Sequence, residues 1–217
     1  MNFAEGRTTA PLLLYGSPRS PFVRKVLIVA REAGVMEEIA VEQTRVFASA
    51  PTDTMLQINP LGQIPTLILG DGEAIYDSAA ICHYLDVECG HGLLHPNSPH
   101  ERTLMMRRQA LGDTLSTLLL SWMGEKSRAQ PEQSEVRIAA VRKKLPFIFT
   151  ALENEVRTSS FDVGHAACVA ALGYLEFRLA AECDWRASHP RLAHWFAEVS
   201  ARPSVATTAY YDETKGT

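Results

Sequence analysis

The spacing of apolar and polar positions changes character near residue 90. Upstream, short apolar runs alternate with helical stretches. Leu12 to Tyr15 is a continuous apolar run of strand length, and Pro21 to Ala33 returns apolar residues at three- and four-residue intervals, so a strand and then a helix are predicted. Ile39 to Glu42 reads as a second short strand. Thr66 to Leu69 and Glu73 to Tyr76 flank Gly70-Asp71-Gly72, a hairpin signal with Asp-Gly at the turn. Asp77 to Glu88 closes this half with a helix. The order is βαβ, an irregular segment containing Pro51, then ββα, which predicts a small α/β layer with a four-stranded mixed sheet over residues 11–88.

Residues 89–99 read as a linker, with Gly90, Gly92, Pro96 and Pro99 as its punctuation. No comparable strand signal follows. Glu101 to Glu125, Glu132 to Arg157, Val163 to Ala181 and Arg191 to Arg202 all read as helices, so residues 100–208 are expected to form an all-α domain.

Composition narrows the classes of function. The 217 residues are 46% hydrophobic and 21% charged, which suits a globular protein with a sizeable core. The formal charge is −4 and no basic run is interleaved with aromatics, so a nucleic-acid partner is not expected. Met1 to Ala10 are polar and lack the apolar core of a signal peptide, and no stretch has the length and apolarity of a membrane span. Cys82, Cys89, Cys168 and Cys183 show neither C-x-x-C spacing nor a tight framework, so reduced thiols in a cytoplasmic compartment are expected. His91, His95 and His100 lie in or beside the linker with no cysteine or carboxylate at ligand spacing, so no metal site is expected.

Candidate chemistry gathers at three places. The segment Asn59-Pro-Leu-Gly-Gln-Ile-Pro-Thr-Leu is a proline-stiffened turn feeding a strand, and Ile64-Pro65 is a candidate cis peptide bond. Residues before such a proline either punctuate a loop or offer free main chain to an extended peptide. Asp77-Ser78 marks a helix start that would take the peptide's carboxylate. Ser20-Pro21 is a second helix start, with Ser as N-cap and Pro as first helical residue. Its hydroxyl is either a cap and nothing more or a hydrogen-bond donor to a bound thiolate.

These motifs, in this order, resemble the cytosolic-type glutathione transferases of bacteria with a serine-type active site. The resemblance covers residues 11 to 208. It rests on Ser17-Pro-Arg-Ser-Pro-Phe-Val-Arg-Lys-Val, on the Asn59 to Leu67 segment and on Asp77-Ser-Ala-Ala-Ile. It extends to Leu172-Gly-Tyr-Leu-Glu-Phe-Arg, Asp184-Trp-Arg and Arg202-Pro-Ser. The fold it implies is a thioredoxin-like N-terminal domain joined to an all-helical one.

The resemblance also implies a site for glutathione, used as a cosubstrate with no prosthetic group. Ile64 would pair its backbone with the cysteinyl unit, Pro65 would hold that geometry in cis, and Gln63 matches a position that approaches the glycyl end. Ser78 would take the γ-glutamyl carboxylate and Asp77 would face the γ-glutamyl amino group. Ser20, with Ser17 in reserve, would stabilise the thiolate that attacks an electrophilic carbon. Ser20 stands where omega-like relatives carry cysteine, which argues against disulfide exchange through the protein. Asp77 stands where many members have glutamate, a shorter reach.

For the second domain the resemblance implies a pocket for a hydrophobic electrophile near Leu119, Trp122, Met123 and Arg128, although helical spacing reads the same apolar side chains as core. A homodimer is implied as well. Asp162-Val-Gly-His165 departs from the usual Ser-x-x-Asp helix start and is read as an altered N-cap worth about 1 kcal/mol. The leading expectation is conjugation of glutathione to a hydrophobic electrophile. The alternatives are peroxide reduction or dehalogenation with glutathione, and a non-catalytic binding or stress-regulatory scaffold.

Overall fold

The computed structural model describes residues 11–47, 50–156 and 160–212. The reading of Met1 to Ala10 lies outside them. Strand β1 (Leu12–Gly16) leads into α1 (Pro21–Glu32), then β2 (Ile39–Gln43), α2 (Asp53–Ile58), β3 (Thr66–Ile68), β4 (Ala74–Ile75) and α3 (Ser78–His83). The sheet order is β2-β1-β3-β4, with β1 parallel to β2 and the other two pairings antiparallel. A parallel neighbour needs a crossover and an antiparallel one a hairpin, so one mixed sheet follows from the βαβ and ββα halves. Leu14 and Leu67 at its centre are fully buried, in one core with Val26, Ile28 and Val29 of α1 and Ile81 of α3.

Three details differ from the expectation. The segment after Pro51 contains α2, capped by Thr52, whose side chain accepts from the Met55 backbone N–H. Six residues are too few to show a helical period, and only Met55 is buried. The last strand shrinks to Ala74–Ile75, because its ends are taken by the turn and by the start of α3. The closing helix is α-helical only to His83 and continues as a π-helical turn over Tyr84–Cys89.

The connection is pinned rather than loose. Asp86 is fully buried and accepts from the Leu94 backbone N–H, and its Oδ2 lies 2.7 Å from His95 Nδ1. Helices α4 (Pro99–Lys126), α5 (Glu135–Glu155), α6 (Val163–Leu179), α7 (Pro190–Ser200) and α8 (Pro203–Ala206) follow. Helix α6 is the axis of this half: Val163 to Leu175 are all buried. It lies so close to α4 that a Cβ on Gly112 would stand 2.5 Å from the Ala167 carbonyl carbon, and one on Gly164 would stand 2.6 Å from the Met105 oxygen. Only glycine allows that approach.

Helix α1 joins the two layers through charge as well as packing. Lys25, fully buried, donates to both carboxylate oxygens of Asp113 at 2.8 Å. Glu32 accepts from Arg202 at 3.0 and 2.7 Å and from the Ser204 hydroxyl. No described helix is long and apolar enough to cross a membrane.

Candidate functional site

Sheet register brings the three candidate segments to one end of the layer. Tyr15 pairs with Thr66 across β1 and β3, so the loop after β1 and the residues just before β3, Gln63 to Pro65, lie at the same end of the sheet. Leu67 pairs with Ile75 across β3 and β4, so Tyr76 to Ser78, which follow β4, lie at that end as well. The β1–α1 loop with Ser17 and Ser20, the turn with Gln63 and Ile64, and the start of α3 therefore share one end of the sheet.

At that end each residue has a definite position. Ser20 is the N-cap of α1: its Oγ accepts from the Val23 backbone N–H at 3.3 Å. The cap uses an oxygen lone pair, so the hydroxyl proton is available to another acceptor, and capping does not compete with donation to a thiolate. Ser17 is buried within the turn: its Oγ accepts from Arg19 N at 3.3 Å and its carbonyl from Ser20 N at 3.0 Å. The Ile64–Pro65 bond is cis, as is Tyr76–Asp77. Among the described residues no backbone hydrogen bond engages the Ile64 N–H or C=O. Gln63 is exposed, Asp77 is the exposed N-cap of α3 accepting from Ala79 N at 2.9 Å, and Ser78 is buried at its first position.

The residue that sets the turn was not singled out from the sequence. Asn59, 1% exposed, donates to the Gln63 carbonyl at 3.1 Å and to Thr66 Oγ1 at 2.9 Å, and accepts from Leu61 N at 2.9 Å. Thr66 Oγ1 in turn donates to the Gln63 carbonyl at 2.8 Å. The Gln63 oxygen is thus occupied by side chains, and the neighbouring Ile64 groups stay open. Asparagine just before Pro60 was the available signal, since its side chain closes a turn two residues on.

The residues expected around an electrophile are divided. Leu119 and Trp122 are core side chains, 0% and 1% exposed, whereas Met123 is half-buried and Arg128 is exposed. Trp122 has the Arg142 guanidinium over its ring at 5.0 Å and borders a cavity of about 240 Å³ between α4, α5 and the α6–α7 connection, to which the sheet layer contributes no residue. Apolar spacing on a helix reports the core more strongly than a pocket wall.

Three of the protein's own thiols are poorly suited to attack. Burial pushes the Cys82 thiol up to about 12, and burial raises Cys168 and Cys183 as well. The four cysteines form no disulfide. Among the described residues no group of three or more histidine, cysteine or acidic side chains is arranged to hold a metal ion.

Comparison with known proteins matches this architecture. Residues 19–88 fit the family model for the glutathione S-transferase N-terminal domain. The uncharacterized GST-like protein YibF of Escherichia coli K12 is 30% identical over 200 residues, which cover 90% of this chain and 96% of that protein. A glutathione transferase family member from Pseudomonas fluorescens Pf-5, solved with bound glutathione, is 33% identical and superimposes with a TM-score of 0.87 over 93% of this chain and 100% of its own. The Pf-5 structure with bound S-(propanoic acid)-glutathione superimposes with a TM-score of 0.83, over 92% of this chain and all of that one. With a mixed four-stranded sheet, a cis proline after an open main-chain turn and a helical second half, the chain belongs to the glutathione S-transferase family.

Proposed function

We propose that the protein conjugates glutathione to an electrophile through a thiolate held at Ser20. The observation that carries this reading is the open main chain of Ile64, at the same end of the sheet as the Ser20 helix start and the Asp77-Ser78 helix start. An extended tripeptide pairs with such an edge through its backbone, which fixes its sulfur near one hydroxyl. Ile64 and the cis Pro65 serve the cysteinyl unit, Gln63 the glycyl end, and Ser78 and Asp77 the γ-glutamyl end. The Ser20 hydroxyl donates to the sulfur and raises its thiolate fraction. Burial raises the thiols of Cys82, Cys168 and Cys183, in keeping with a nucleophile carried by the cosubstrate. The bound molecules of the Pseudomonas relative support a site that takes glutathione and also a glutathione carrying a group on its sulfur.

The same reading divides the chain into a glutathione-binding domain at 11–88, a linker at 89–99 and a helical domain at 100–208. It includes a homodimer in a reducing compartment. An apolar groove between α4 and α5, lined by Leu118, Phe147 and Ile148 with Phe147 75% exposed, supports the dimer.

Calorimetric titration with reduced glutathione tests the proposal. Saturable binding with one site per chain is expected. Absence of binding at millimolar glutathione would overturn it and favour a scaffold without a ligand at this edge.

A further inference from the structure

Beside the Ser20 helix start, arginines from the two layers meet on one carboxylate. Arg178, in the last turn of α6, donates to Asp212 through two bonds, Nη1 to Oδ2 at 3.1 Å and Nη2 to Oδ1 at 2.6 Å. Arg19, the residue before Ser20, brings its Nε to 3.0 Å from the same Oδ1. Arg45, just after β2, adds to the positive field felt by this carboxyl. Asp212 arrives on the C-terminal segment, which Tyr210 anchors: its hydroxyl donates to the Ala170 carbonyl at 2.7 Å, its ring stacks on Phe177, and the Arg24 guanidinium lies over it at 4.6 Å.

The anchor and the carboxylate differ in character. Tyr210 is packed among aromatic rings, whereas the Asp212 side chain is 53% exposed and its partners Arg19 and Arg178 are 38% and 22% exposed. An ion pair this open is weak and exchanges readily with another carboxylate. Two guanidiniums facing one carboxylate also leave the place net positive. A planar fork holding two oxygens is the arrangement that recognises carboxylates.

Building on the function proposed above, we propose that Arg19 and Arg178 form the subsite for a carboxylate on the electrophile, and that Asp212 occupies this subsite until the electrophile displaces it. The second substrate is then a small electrophile bearing a carboxylate, rather than one that is apolar throughout. Arg19 and Arg178 are specificity-determining residues; the thiolate stays with Ser20. With a chloro-dinitrobenzoate as the probe, the glutathione sulfur forms a bond to the ring carbon bearing chlorine. Chloride leaves with the C–Cl electron pair, and the thiol proton passes to solvent.

The test is calorimetric binding to the full-length protein of three ligands: glutathione, the purified glutathione conjugate of the chloro-dinitrobenzoate, and the methyl ester of that conjugate. The acid conjugate is expected to bind about tenfold more tightly than the ester, as one charge-assisted carboxylate contact would give. Arg178→Gln and, separately, Arg19→Gln should bring that ratio close to one. Asp212→Asn should tighten the acid conjugate and not the ester, because the internal competitor has lost its charge. Glutathione binding without preference for the acid conjugate, or a ratio unmoved by both arginine variants, overturns the carboxylate subsite alone. Loss of acid binding in Asp212→Asn shows that Asp212 braces the tail, and overturns its placeholder role. Failure of the wild-type protein to bind glutathione overturns the underlying reading and this one with it.

Discussion

At the scale of single residues, Ser20 caps α1, and the thiolate duty proposed for the same hydroxyl can be separated from the cap by measurement. Its oxygen accepts from Val23 N and caps α1, while its proton remains available for a thiolate. Ser20→Ala should therefore lower stability by about 1 kcal/mol, the ordinary value of a lost N-cap. It should also lower turnover by on the order of a hundredfold, as removal of one oriented anion-stabilising donor does, with little change in glutathione affinity. Urea denaturation and steady-state kinetics read the two effects apart. Intact turnover in Ser20→Ala, with turnover lost in Ser17→Ala, would move the thiolate to the strand end. Ser20, Ile64, Pro65, Asp77 and Ser78 stand out as candidates because each sits in a local signal: a Ser-Pro helix start, an X-Pro turn, an Asp-Ser helix start. Asn59 was within reach of the same chemistry. Arg19 and Arg178 were not, because the Asp212 that brings them together is 34 residues beyond Arg178 in sequence and far from Arg19.

At the scale of elements, the start of α6 has more to do than its sequence implied. Asp162 Oδ1 accepts from His165 N at 3.0 Å, and His165 Nδ1 lies 3.3 Å from the Asp162 backbone N, so the capping box closes with histidine in place of a carboxylate. Nδ1 is also 2.8 Å from Asp162 Oδ1, a contact that a proton on Nδ1 makes favourable in place of the bond from the Asp162 N–H. The second oxygen pairs with buried Arg108 of α4, which no local pattern announces. Loss of an N-cap alone gives about 1 kcal/mol, but removing one partner of a buried pair gives about 3–5 kcal/mol. Since Glu155 still faces Arg108 at 3.4 Å, Asp162→Ala should cost about 3 kcal/mol at neutral pH, near the low end of that range. Burial pushes the Asp162 carboxyl up, but hydrogen bonds from His165 and Arg108 outweigh it and hold the group at about 2. A carboxyl depressed on folding stabilises fully above its unfolded pKa of about 3.9 and loses that contribution as pH falls toward its folded value. The stability gap between wild type and Asp162→Ala should therefore narrow from about pH 5 to about pH 2 in urea titrations. A gap constant across that window would mean that shape, not charge, holds this helix start. Helix α2 shows the opposite limit of legibility. Its Thr52 cap is a readable signal, but one buried side chain in six residues gives periodicity nothing to detect.

At the scale of the molecule, α1 is where the sheet layer and the helical layer are joined, and the ion pair between Lys25 and Asp113 is one polar link across that join. No local pattern announces it, because a lysine between Arg24 and Val26 reads as one more solvated charge on a helix. Only the packing of α1 against α4 and α6 takes that side chain out of water. The two partners are unequal: Lys25 is 1% exposed at its side chain and Asp113 is 28% exposed. Removing either partner therefore has a different consequence. Lys25→Met leaves a carboxylate that water can still reach, and the methionine side chain refills most of the volume. Asp113→Ala leaves an ammonium group with neither solvent nor counter-charge, for which about 3–5 kcal/mol is the usual penalty. Asp113→Ala should thus destabilise the protein by at least about 2 kcal/mol more than Lys25→Met, measured by urea unfolding at neutral pH. The double variant should recover most of that difference, since the stranded charge is gone. Equal losses in the two single variants would mean that the pair stabilises through mutual attraction rather than by shielding a buried charge. In that case the join between the layers would rest mainly on the apolar contacts of α1 with α6 and on the Glu32–Arg202–Ser204 cluster at its far end.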